Sequence, residues 1–510
     1  MALPLLARTT DDDVRYLLTP IGRARPRSDD ERMPLRTPGE GEQYRFHFDM
    51  ASCIGCKCCV VACNEQNGNP AAINWRRVGE IEGGFFPMAS RAYLSMGCNH
   101  CVEPTCLEGC PVDAYTKDPT TGIVHHSAET CIGCQYCTWN CSYGVPQYNA
   151  DRGVVGKCDM CHGRLELGQT PACVSACPEG AIAIEIVKTD EWRTALATAT
   201  PGHGAPIADG SLSTTRITMP ALPPNAHPVD MTHLVPEHAH WSLVLMTVLT
   251  QLSVGAFVTL WLLQLLGSTT SLGVAAVTSL AVAALALNAA TFHLGRPAHA
   301  YRALKAWRRS WLSREVLLFA AFSGIATLYA AVLWFALPGG IAVGAVTALI
   351  GVAGVTASAC IYRVPSRPAW NTPLTLVQFN LTAASLGPLF VAAVGASRTT
   401  WLVYFAAAMG GAQLLLLALR FLRLVASDRV ELRGTARLLS TTLRPLFLAR
   451  VALVGLGGVA LPLAAHGTLG LVAALGFALA GEVMGRYLFF TSVVPTHMAS
   501  PYLEMGSEAA

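Results

Sequence analysis

Of the 510 residues, 52% are hydrophobic and only 14% charged, where a soluble globular protein carries roughly 25% charged residues. That composition excludes a wholly soluble protein, and a net charge of +3 is too small to argue for a nucleic-acid partner. The apolar excess lies almost entirely after residue 240, whereas seventeen of the eighteen cysteines lie between Cys53 and Cys177 and only Cys360 lies beyond. A polar, cysteine-rich part therefore precedes a membrane-embedded part.

Residues 1–43 are charged, contain proline and show no periodicity, which predicts an irregular N-terminal arm. Leu3 to Leu6 is too short for the apolar core of a secretory signal, Asp11 to Asp13 follow it, and no twin-arginine signal precedes an apolar stretch. Export of the soluble part is thus expected to need a signal carried elsewhere.

Residues 44–190 hold four cysteine groups. The first is Cys53, Cys56, Cys59 and Cys63; the second is Cys98, Cys101, Cys106 and Cys110, followed by Pro111. The third is Cys131, Cys134, Cys137 and Cys141; the fourth is Cys158, Cys161, Cys173 and Cys177, followed by Pro178. A C-x2-C-x2-C loop curls three thiolates around one cubane, and the cysteine three residues on ligates the other cluster of a pair. Gly55 and Gly133 permit close backbone approach. Cys-Ile-Gly-Cys occurs at 53–56 and again at 131–134, and residues 103–111 match 170–178 in layout, so the unit is duplicated. The segment from Thr121 to His126 suits a short β-hairpin. Disulfides are disfavoured by the tight spacing and by a cytoplasm-facing domain. Zinc would use paired C-x2-C knuckles, which the first and third groups do not offer. Sixteen cysteines are read as ligands of iron–sulfur clusters, with Cys58 a spare packed thiol and Cys360 a packing residue.

Residues 191–240, with Pro201, Pro206, Pro220, Pro223, Pro224, Pro228 and Pro236, have the composition of a linker. Residues 241–495 hold eight apolar runs near the roughly 20 residues that span a bilayer, at about 241–266, 272–294, 312–336, 340–361, 374–397, 400–422, 448–465 and 468–490. Each must be helical, because hydrocarbon leaves an open backbone unsatisfied. Residues 496–510 form a C-terminal tail. The fold class is an α+β ferredoxin-like domain followed by an all-α polytopic membrane domain.

The inter-span loops alternate in charge. One side holds fifteen basic residues in three clusters (296–314, 363–367 and 420–450), and the other only Arg398. The positive-inside rule then predicts a multi-pass protein of the cell inner membrane with both termini and the cluster domain cytoplasmic.

Residues 44–190 resemble the iron–sulfur subunit of the DMSO reductase family of molybdopterin enzymes. Residues 235–500 resemble its membrane anchor through Phe292-His-Leu-Gly-Arg-Pro-Ala-His, Trp311-Leu-Ser-Arg-Glu-Val and Pro368-Ala-Trp-Asn-Thr-Pro-Leu. The chain looks like a fusion of two subunits usually made separately. The resemblance implies that Cys53, Cys56 and Cys59 share a cluster with Cys177, and Cys158, Cys161 and Cys173 share one with Cys63. It likewise groups Cys98, Cys101 and Cys106 with Cys141, and Cys131, Cys134 and Cys137 with Cys110. With cysteine at every position of the third group, four [4Fe–4S] clusters are expected.

Such a wire needs a redox partner at each end. At the membrane end the expectation is menaquinone or ubiquinone and no haem, since His293 alone lies near a span interior while His238, His240, His299, His466 and His497 fall in loops or at ends. Candidate quinone-site residues are His293 as proton acceptor, Arg296 and Arg314 as orienting groups, and Glu315 as proton relay. Glu482 and Arg486, four apart on the last span, join them because ionisable residues within spans are functional suspects. At the other end a separate molybdopterin-containing catalytic subunit is expected. The reading is an electron-transfer and anchor subunit of a DMSO-, S-oxide- or N-oxide-reductase-like, or sulfite-dehydrogenase-like, complex. Its rivals are a redox-driven ion-translocating protein and an anchor without quinone chemistry.

Overall fold

The computed structural model describes residues 32–87, 89–198, 211–223, 225–229, 234–267, 272–395, 400–464 and 467–498. Residues 1–31 of the expected arm, Arg398, His466 and residues 499–510 of the tail lie outside the described residues.

Strand β1 (Glu42–Asp49) alternates buried Tyr44, Phe46 and Phe48 with polar residues and pairs antiparallel with β8 (Ile182–Lys188), from Glu42 opposite Lys188 to Phe48 opposite Ile182. This pairing closes the cysteine-rich segment on itself, because it sets the residues before Cys53 beside those after Cys177. Between them lie three antiparallel hairpins: β2 (Arg77–Gly83) with β3 (Ser90–Met96), β4 (Tyr115–Lys117) with β5 (Val124–His126), and β6 (Gln147–Asn149) with β7 (Val154–Gly156). The hairpin expected near Thr121 is the second of these. Short helices follow the cysteine loops: α1 (Cys58–Asn67), α2 (Thr105–Gly109), α3 (Tyr136–Asn140), α4 (His162–Glu166) and α5 (Ala172–Ser175). Phe46, Phe48, Leu94, Ile123, Ile182 and Val174 fill the core around them.

The stretch expected as a linker is more than a tether. It opens on α6 (Thr189–Thr198), and past residue 210 it adds β9 (Arg216–Thr218) parallel to β1 and β10 (His227–Pro228) antiparallel to β2. Its polar residues face inward: Thr214 Oγ1 donates to the Asn99 carbonyl at 2.7 Å, Thr215 Oγ1 to Asn99 Oδ1 at 2.9 Å, and Val102 N–H to the Leu212 carbonyl at 2.8 Å. Strands of two or three residues carry no legible alternation, and buried serines and threonines read as loop.

Eight helices are long and apolar enough to cross a membrane: α7 (Trp241–Leu265), α8 (Gly273–Thr291), α9 (Trp311–Trp334), α10 (Gly340–Ile361), α11 (Pro373–Ala393), α12 (Thr400–Val425), α14 (Arg444–Ala464) and α15 (Thr468–Thr491). Between the sixth and seventh spans runs the amphipathic α13 (Val430–Ser440), with Leu432, Ala436, Leu438 and Leu439 buried and Arg437 exposed. Helices α7 and α11 are the most buried and cross through glycine: a Cβ on Gly255 would lie 2.0 Å from the Ala383 carbonyl, the close backbone approach by which membrane helices pack. The seventh span, the shortest apolar run in the sequence, contains a π-helical turn at Gly455–Ala460. Its glycines sit against Gly410 and Ala478, where the backbones approach closely.

Candidate functional site

The fold gathers sixteen cysteines into four sets of four. Cys53, Cys56, Cys59 and Cys177 line one small cavity; Cys98, Cys101, Cys106 and Cys141 line another. Cys63 lies within electrostatic reach of Cys158, Cys161 and Cys173, and Cys137 of Cys110, Cys131 and Cys134. Each loop is bent by left-handed residues, among them Gly55 (φ 71°), Lys57 (60°), Gly133 (69°), Gln135 (60°), Met160 (60°) and Cys161 (52°). The bending aims backbone N–H groups at sulfur: Ala114 to Cys110, Met160 to Cys158 and Ala181 to Cys177, each at 3.3 Å. Cys58 is exposed rather than packed, on the first turn of α1 with its thiol beside that of Cys56.

The sets suit a cluster better than a single ion. Among the described residues, one group of three or more ligating side chains comes within 4.8 Å of one another, and it contains no cysteine. Burial pushes the Cys101, Cys134 and Cys173 thiols up to about 12, so thiolates here need positive charge around them. Two buried cations that no sequence pattern marks stand beside them. Arg76 neighbours Cys59, Cys63, Cys158 and Cys173, and its guanidinium is held above the usual range: burial opposes the charge, and the thiolates outweigh burial. Lys157 neighbours Cys98, Cys106 and Cys158 and is raised by the same balance.

The membrane half grips the third cysteine group and the end of the second, where Ser310 Oγ donates to the Gly109 carbonyl at 2.7 Å. Arg296 N–H donates to the Ile132 carbonyl at 3.1 Å, and Gly295 packs against Gly133 and Gly153. Arg296 Nη1 donates to the Ala128 carbonyl at 2.7 Å and Arg302 Nη1 to that of Glu129 at 3.0 Å. Arg309 and Lys305 pair with Asp113, and Ser366 Oγ donates to the Trp139 carbonyl.

His293 stands at this junction. Its Nε2 lies 3.3 Å from the Cys134 carbonyl, its ring stacks 6.4 Å from Trp139, and the His240 ring is 5.2 Å away. Burial holds the His293 imidazole down at about 4, against the pull of the Cys134 carbonyl; burial and His293 together do the same to His240. Neighbouring Phe292 is 80% exposed on the outside of the helices. Trp139, Tyr362, Trp370 and Phe490 complete an aromatic box. Buried Glu315 lies within electrostatic reach of Tyr136 and Tyr362.

The other expected site residues go elsewhere. Arg296 is taken up by the Ala128 carbonyl. Arg314 donates to the carbonyls of Trp307 and Arg308 and lies over Trp311, because it sits on the outer face of α9. Glu482 accepts from Thr382 Oγ1 at 2.8 Å, and Arg486 donates to Gln251 Oε1 at 2.9 Å while lying 3.6 Å over Phe379. Arg486 lies over Phe379 and Phe489, which pack on Tyr362, and Tyr362 in turn packs on the Trp139 ring that His293 stacks against. Conversely, His240 reads as a loop residue in sequence, and its signal is its place immediately before the first span.

A family model described as a 4Fe-4S dicluster domain matches residues 89–186, and one described as the DMSO reductase anchor subunit matches residues 236–491. The chain belongs to the DMSO reductase family. It joins the family's iron–sulfur and anchor subunits in one polypeptide. One relative is a component of the anaerobic dimethyl sulfoxide reductase of Haemophilus influenzae, 38% identical over 190 residues, which are 36% of this chain and 88% of the relative. Its counterpart in Escherichia coli K12 is 35% identical over 195 residues, 36% of this chain and 90% of the relative. A component of the sulfite dehydrogenase of Allochromatium vinosum is 35% identical over 160 residues, 27% of this chain and 67% of the relative. The protein is therefore an electron-transfer and anchor subunit of an oxidoreductase of this kind and a multi-pass membrane protein.

Proposed function

We propose that the sixteen cysteines hold four [4Fe–4S] clusters in the four sets above, and that the chain connects membrane menaquinone or ubiquinone with a separate molybdopterin-containing catalytic subunit. The clusters, when bound, supply one-electron carriers. The observation that carries the reading is the position of His293, which touches the backbone of Cys134 on one side and borders the exposed Phe292 on the other. A quinone head entering from lipid beside Phe292 would meet His293 and His240 as hydrogen-bond partners against the Trp139 face. Buried Glu315 is the proton relay. A polar cleft of about 880 Å³ that reaches His240 and Trp139 gives protons a way to water. Arg296 holds the loop in place instead of orienting the quinone.

The whole complex in detergent tests this. His293→Ala should slow cluster reduction by a reduced quinol analogue at least about tenfold, with about sixteen irons per chain retained and the dithionite-reduced EPR spectrum unchanged. Normal quinol kinetics in that variant would remove His293 from the site. The basic loops support a cytoplasmic face for the cluster domain in the cell inner membrane.

A further inference from the structure

We infer that Asp118, His125 and His162 form a binding site for one divalent transition-metal ion, Zn2+ by donor chemistry, outside the four thiol sets.

The three side chains offer two imidazole nitrogens and a carboxylate oxygen, all within 4.8 Å of one another, and all three are half-buried. They come from two separate pieces of chain. Asp118 and His125 flank the turn between β4 and β5; His162 opens α4, one residue past Cys161. The two imidazole rings are 4.6 Å apart at 64°. Rings bound through nitrogen to one tetrahedral ion at about 2.0–2.1 Å have centroids about 5.2 Å apart, so a small rotation of either side chain, about 0.6 Å at the ring, brings both nitrogens onto one ion.

Three further observations point to a ligand. His162 Nδ1 is buried and has no protein partner, while its Nε2 lies 3.3 Å from Glu166 Oε1. A metal-ligating histidine gives its second N–H to a carboxylate in this way, which fixes the tautomer and raises ligand basicity. Asp118 is anchored before any ion arrives: Oδ1 accepts from the N–H groups of Thr120 and Thr121 at 2.7 and 2.9 Å. The neighbouring Lys157 commits its ammonium to the carbonyls of Val124 and Cys158, and Asp159 adds negative charge near His125. An ion bound here ties the hairpin between the second and third cysteine groups to the helix of the fourth.

The test uses the full-length protein in its complex, dialysed in micromolar Zn2+ and analysed for zinc and iron by mass spectrometry, with X-ray absorption at the zinc edge. One zinc per chain with nitrogen and oxygen neighbours is expected, lost in Asp118→Asn and in His125→Gln, with iron per chain unchanged. Asp118→Asn keeps an acceptor for the turn, and neither residue adjoins a cysteine; should one variant lose iron, the other decides. No zinc uptake by the unaltered protein, undiminished zinc in both variants, or a sulfur-dominated zinc shell would each overturn the site.

Discussion

Arg76 is 2% exposed and stands between two of the four thiol sets. It donates to Ser95 Oγ at 3.1 Å, and Ser95 Oγ lies 3.5 Å from Cys59 Sγ. Phe46 covers the guanidinium, its ring centroid 4.6 Å away. A buried cation favours the more negative, reduced state of a neighbouring cluster. At an effective dielectric near 20, one charge about 8 Å away contributes on the order of 2 kcal/mol, or roughly 100 mV for one electron. Arg76→Met should therefore move the potentials of the flanking clusters negative by that order, and Arg76→Lys by less. Redox titration followed by EPR reads this, and unshifted potentials in Arg76→Met would deny the residue any tuning role. Nothing in the sequence marks Arg76: it has no fixed spacing to a cysteine, and its neighbour Arg77 binds the carbonyls of Tyr143 and Gly144 instead. The cysteines were legible because ligand spacing is a local property. The charge that balances them was not, because it arrives by tertiary packing.

The elements divide the same way. The eight spans were visible as apolar runs, since a helix crossing hydrocarbon needs about 20 predominantly apolar residues. The docking between α8–α9 and the third cysteine group was not visible, because it is built from backbone carbonyls and glycines. Gly295 is its tightest point: an added Cβ would lie 2.2 Å from the Gly153 carbonyl and 2.7 Å from Tyr148 Oη. Neither neighbour can move without disturbing the β6–β7 turn, so the loop would lift from the cluster domain and carry His293 away from Cys134. Gly295→Ala should leave iron content and dithionite reduction intact while slowing quinol-driven reduction about tenfold or more. Wild-type quinol kinetics would show that the loop tolerates the shift. Glu482 and Arg486, four apart on the last span, make their hydrogen bonds to other helices for a related reason. On a buried helix each side chain takes the nearest partner on a neighbouring helix, here Thr382 and Gln251.

For the whole molecule, the docking changes what the basic loops mean. Arg296, Arg302, Lys305 and Arg309 bind the cluster domain, and Arg367 pairs with Glu237. These charges have a structural use whichever side of the membrane they occupy. Arg420 and Arg423 are likewise held by Gln378 and Thr372. The orienting argument then rests on the exposed Arg308 and Arg363 and on the exposed Arg429, Arg437 and Arg444 around α13. That helix lies at the same end of the bundle as the cluster domain, so these charges and the cysteines share one face. If positive charge retains that face in the cytoplasm, green fluorescent protein fused after Ala510 fluoresces, and alkaline phosphatase fused in the opposite turn at Gly339 is active. The reverse pair of results would place the clusters on the exported face. It would also mean that the docking contacts, and a signal carried by the catalytic partner, account for the arginines better than membrane orientation does.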